Sequence, residues 1–118
     1  MADVLRVRPL ARLKLSRNEA TLYDQNYAPN ERAFVESSAD RFVLAANTTV
    51  QEVNLGGVAT GDMLLLITNR AINVGVDSQT NLWSVGKAVM LDGGSFTHLY
   101  VQNQSTTVEA TVDVLVTD

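Results

Sequence analysis

The chain contains no cysteine, which excludes disulfides, thiolate metal sites and cysteine nucleophiles together. Its only histidine is His98, so no metal centre can rest on several imidazoles, and a Ser-His-Asp arrangement would have to form around that one ring. Long apolar runs are missing too. None exceeds the five residues of 63–67, far short of the roughly 18 residues that cross a bilayer as a helix, so the chain reads as a soluble protein with no membrane partner. Arg6, Arg8, Arg12 and Lys14 interrupt the N-terminal stretch where a signal peptide would need its apolar segment. The sequons at Asn47 and Asn103 therefore carry no expectation of glycosylation. Basic residues are scarce beyond the first third: residues 42–118 hold only Arg70 and Lys87 against seven acids, whereas residues 1–41 hold seven Lys and Arg against six acids. A net charge of −4 argues against general nucleic-acid binding, which rests on a basic domain and counterion release.

What is present is the composition of an ordinary globular domain, 118 residues with 46% hydrophobic and 19% charged, enough for one core without staples. From residue 42 onward short apolar runs alternate with turn chemistry, as at Asn54-Leu55-Gly56-Gly57, Thr68-Asn69-Arg70 and Asp92-Gly93-Gly94. The runs have the two-residue period of strands. Ile72, Val74 and Val76 alternate with Asn73, Gly75 and Asp77, and Val108, Ala110, Val112, Val114 and Val116 alternate with Glu109, Thr111, Asp113, Leu115 and Thr117. Strands are predicted over 42–46, 50–55, 63–68, 72–76, 88–91, 96–102 and 108–117. The fold class that follows is all-β, an antiparallel β-sandwich of jelly-roll-like or related Greek-key type over residues 41–118.

Residues 1–40 read differently, as an extended N-terminal arm and linker. In the stretch VLRVRPLARLKL, Val7, Leu13 and Leu15 are spaced to share one face of an extended strand, with Arg6, Arg8, Arg12 and Lys14 on the other and Arg17 just beyond. Pro9 bars a central-strand position. Residues 18–40 are polar and aperiodic and read as a long loop, with a short helical turn possible over 30–36. A basic extended strand suits docking on the sheet edge of a partner; the alternative is an edge strand of the domain itself with a solvated charged face.

The search for reactive groups returns no constellation: no catalytic residue, cofactor site or metal site is predicted. His98 shares an expected strand face with Phe96 and Tyr100, which marks these three as packing or subunit-contact residues, and Trp83 beside Leu82 and Val85 is read the same way. Asp62, Asp77 and Asp92 sit in turns without the spacing of a calcium loop.

The stretch 55–118, through MLLLIT, INVGV, AVMLDGG, FTHLYVQN and the closing valine-rich strand, resembles the small β-sandwich decoration or cement proteins on the capsids of tailed bacteriophages. The resemblance implies a structural virion protein on the capsid exterior, made in the host cytoplasm, homotrimeric, bridging capsomers and partnered by the major capsid protein. Residues Arg6, Arg8, Arg12, Leu13, Lys14, Leu15 and Arg17 would then dock on the capsid. A head-fibre or tail-attachment module is the alternative, with Trp83, Tyr100 and the loop 77–81 facing a host surface. A hydrolase fragment built around His98 is a third class.

Overall fold

The computed structural model describes residues 5–118; residues 1–4, the start of the predicted arm, lie outside the described residues. The chain is all-β among the described residues and divides into two units, one ending at Phe34 and one running from Val35 to Asp118.

The second unit contains β5 (Ser37–Leu44), β6 (Gln51–Glu52), β7 (Gly61–Thr68), β8 (Ile72–Val76), β9 (Trp83–Val85), β10 (Ala88–Phe96), β11 (Leu99–Asn103) and β12 (Ala110–Thr117). They form two four-stranded antiparallel sheets in the orders β10-β7-β12-β5 and β6-β11-β8-β9. Each connection from β5 to β12 crosses from one sheet to the other, except the β8–β9 hairpin. The valine alternation near the C-terminus becomes a central strand, because β12 pairs with β5 on one side and β7 on the other. Its Ala110, Val112, Val114 and Val116 are buried and the residues between are partly exposed. They meet Leu64 and Leu66 of β7 and the inward residues Ile72, Val74, Leu99 and Val101 of the other sheet in one core.

Polar side chains punctuate the turns. Asn54 Oδ1 accepts from the Gly56 N–H at 2.9 Å, and Thr68 Oγ1 donates to the Arg70 carbonyl at 2.7 Å, the Asx and ST devices that make such residues turn formers. Asn103 works from inside. Only 2% exposed, it donates to the carbonyls of Ala45 at 3.1 Å and Val108 at 2.9 Å and accepts from Ser105 N–H at 3.0 Å.

The first unit is built from β1 (Leu5–Val7), β2 (Ala11–Arg17), β3 (Ala20–Tyr27) and β4 (Arg32–Phe34). β2 pairs antiparallel with β3, and β1 with β4, so that the chain runs out and returns as a two-stranded ribbon. Its tip is Asn18-Glu19, with φ of 49° and 66°; positive φ at both central residues is the type I′ geometry that matches strand twist.

Several expectations are corrected here. Residues 18–40 are not a loop but contain β3, β4 and the first half of β5, and 30–36 holds no helical turn. Both strands of the ribbon are exposed on both faces, so no core imposes an alternation on the sequence. A bulge opposite Leu15 and Ser16 also makes Leu22 and Tyr23 consecutive apolar residues. The strand predicted over 88–91 continues to Phe96 through an irregularity at Gly93-Gly94, where Gly93 has φ 75°. Phe96 therefore ends β10 and does not share a strand with His98 and Tyr100. The 50–55 prediction shrinks to the two residues of β6, and β9 has no counterpart among the predicted strands.

Candidate interaction surfaces

In the ribbon, residues directly opposite each other share a face. Ala11, Leu13 and Leu15 stand opposite Tyr27, Gln25 and Tyr23, while Arg12 and Lys14 stand opposite Asn26 and Asp24. The sequence reading of Leu13 and Leu15 on one face and Arg12 and Lys14 on the other agrees with this register. The apolar face is exposed: Leu13 is 65% exposed, Leu15 56%, Tyr23 49% and Tyr27 45%. A two-stranded hairpin cannot bury its own face, which is why such ribbons are marginal in water without a third surface.

On the charged face Arg12 grips Asp24 with both arms of its fork, Nε to Oδ1 at 2.9 Å and Nη2 to Oδ2 at 2.7 Å. That bond raises the Arg12 pKa above its ordinary value and takes Arg12 out of the set available to a partner. Arg6 lies a loose 3.9 Å from Glu31. Arg8, Lys14 and Arg17 are exposed and form no ion pair among the described residues. Sequence reasoning misses Tyr23 and Tyr27 as members of this surface. Their even spacing, matched to Leu13 and Leu15 across Asn18-Glu19, is the signal that could have found them.

The four residues expected at subunit contacts separate. Phe96 is 1% exposed and packs in the core over Gly61, where a Cβ would run into its ring. A ring so buried contributes about 3–5 kcal/mol to the fold, so it is an anchor of the sandwich and no contact residue. Trp83, at the edge of its sheet beside Val74, is 38% exposed. His98 and Tyr100 do come together: their rings stack with centroids 6.1 Å apart, and His98 Nδ1 lies 2.7 Å from Glu52 Oε1. Among the described residues no side-chain hydroxyl is hydrogen-bonded to the imidazole.

Next to this stack, amide side chains form a ladder. Asn73 Nδ2 donates to Gln102 Oε1 at 2.8 Å, Gln102 Nε2 to the Thr48 carbonyl at 2.7 Å, and Gln104 Nε2 to Asn73 Oδ1 at 2.9 Å and Ser84 Oγ at 2.7 Å. These groups bond one another and so hold the side chains along the ladder in place. The loop 77–81 folds back over Gly75, where a Cβ would meet the Ser78 carbonyl oxygen. Asp77 fixes it: the carboxylate Oδ1 accepts from Thr97 N–H at 2.9 Å and His98 N–H at 2.8 Å, and these bonds hold its pKa below the usual carboxylate value.

Comparison with protein-family models, with curated proteins and with solved structures finds no match.

Proposed function

We propose that this chain is a structural protein that acts by attachment, a decoration or cement protein on the outside of a viral capsid. The observation that carries the reading is the ribbon from Leu5 to Phe34, in which β1 pairs with β4 and β2 with β3, with Leu13, Leu15, Tyr23 and Tyr27 exposed along one face. An element with an exposed apolar face and spare cations at Arg8, Lys14 and Arg17 suits an acidic partner surface, for which the major capsid protein is the candidate. Over residues 35–118 the two interleaved four-stranded sheets are read as a jelly roll, an architecture used by capsid and lectin domains. That likeness concerns fold, and fold alone does not assign function. Binding across capsomer boundaries stabilises a shell by mass action, because a ligand of the assembled state shifts the equilibrium toward it. The protein would act as a homo-oligomer, a trimer by the resemblance drawn from its sequence.

The test is co-sedimentation of the purified protein with particles produced by the genome that encodes it. The Lys14→Glu, Arg17→Glu double variant is expected to lose about tenfold or more in affinity, about 1.4 kcal/mol, with the melting temperature of the sandwich unchanged. Undiminished binding by the variant, or absence of the protein from purified particles, would overturn the reading.

A further inference from the structure

The run Met63-Leu64-Leu65-Leu66-Ile67 is apolar at every position, whereas a strand covered on one face alternates. Its inward residues Leu64 and Leu66 are fully buried in the core. Leu65 and Ile67 point the other way, and Ile67 is 48% exposed. Neighbouring strands extend this outer face. Across the sheet, Met90, Leu65, Leu115 and Ala39 lie in one register row, and Ala88, Ile67, Asp113 and Arg41 in the next. Val43, 54% exposed, follows on β5. On the outward side of β12 Leu115 follows the polar Thr111 and Asp113 where it meets Leu65, and the open face ends at the next row, where Met63 and Thr117 are buried. A shallow depression of ≈ 380 Å³ lies over the β5, β12 and β7 part of this face, from Ala39 and Arg41 to Leu65 and Ile67. A contiguous apolar sheet face of this kind marks a site of association.

The charges say what fits there. Arg41 and Asp113 are bonded to each other, Nε to Oδ1 at 2.7 Å and Nη2 to Oδ2 at 3.2 Å, so covering them strands no unpaired charge. The two register rows carry no net charge, although the exposed Asp40, which alternates with Ala39 and Arg41 on β5, also lines the depression; residues 35–118 as a whole carry three basic and nine acidic residues, a net charge of −6. Two such sandwiches repel over most of their surface and can approach where the charge cancels.

We infer that the outer face of the sheet β10-β7-β12-β5 is a homodimer contact, packed against the same face of a second copy of this chain. The contact is isologous and closes at two copies, so for the free protein it stands in place of the trimer that the sequence resemblance implies. It does not rest on the attachment reading, which uses the ribbon.

Sedimentation equilibrium of the free full-length protein tests it. The wild type is expected at twice the 12.8 kDa chain mass at tens of micromolar. Ile67→Asp and Val43→Asp, both at exposed positions, are expected to sediment as single chains with unchanged β-sheet circular dichroism. The exchange Arg41→Asp with Asp113→Arg keeps a bonded pair and is expected to retain the dimer, whereas Arg41→Glu alone leaves two acids on each face and weakens it at least tenfold. A monomeric wild type at about 100 µM, or an assembly whose mass survives both aspartate variants, overturns the inference. Particle binding by Ile67→Asp remains a separate measurement, since it reports on the ribbon.

Discussion

Asp77 sits in left-handed backbone, φ 55°, a conformation that asparagine and aspartate tolerate better than other non-glycine residues. What holds it there is the pair of backbone N–H groups from Thr97 and His98 on one carboxylate oxygen. Both bonds favour the ionised form, so the folded pKa lies below the unfolded one. Stability from this group is complete above the unfolded value near 4 and is lost as pH falls through the lower folded value. Asp77→Asn is expected to melt below the wild type at pH 7, with the difference shrinking as pH drops below about 4; a gap constant down to pH 2 would refute the assignment. The sequence marks Asp77 as a solvated turn residue, which is half the truth. Its partners arrive from 20 residues away through a sheet register that no local pattern discloses. The same holds for the amide ladder of Asn73, Gln102 and Gln104, and for Asn103, whose buried role looks like an ordinary polar turn residue in one dimension.

At the scale of elements, strands with one buried face are legible in the sequence and strands with none are not. β8 and β12 lie where their periodicity places them, because the core rewards alternation at each position, and β7 lies where its unbroken apolar run places it. β3 is invisible: its eight residues are all exposed, and the hairpin signal at its start is Asn-Glu where Asn-Gly is the strong form. That weakness is also an opportunity for measurement. Glu19 at φ 66° carries a Cβ in a conformation that costs an L-residue about 1 kcal/mol or more, and glycine removes the clash. Glu19→Gly is expected to strengthen the ribbon by about 0.5–1 kcal/mol, read as a two- to fivefold rise in hydrogen-exchange protection of the β2 and β3 amides. Unchanged or reduced protection would mean that the turn does not limit ribbon stability. Phe96 misleads for the opposite reason. Even spacing groups it with His98 and Tyr100, but the irregularity at Gly93-Gly94 carries β10 forward and turns the ring into the core.

The whole molecule joins a segment with a core to one without. Composition alone discloses this division as a charge asymmetry: residues 5–34 hold six basic and three acidic residues, against the −6 of residues 35–118. The boundary falls after Phe34, about six residues earlier than the sequence places it, because Ser37 and Ser38 open β5 although their polarity reads as linker. The two parts should differ in how readily their backbone opens. Local opening costs least where few apolar contacts are broken, and the ribbon also holds five of the eight bonds open to trypsin, after Arg6, Arg12, Lys14, Arg17 and Arg32, while Pro9 blocks the one after Arg8. Brief digestion of the free protein is expected to cut the ribbon first and leave a resistant fragment starting near Ala33, identified by intact mass. The sites at Arg41, Arg70 and Lys87 should survive at least tenfold longer, since opening them requires breaking sheets that share the core. If the ribbon is the attaching element, the ribbon cuts slow on the particle while the sandwich sites keep their rates. Equal cleavage of the ribbon in free and bound protein would mean that the partner meets some other surface.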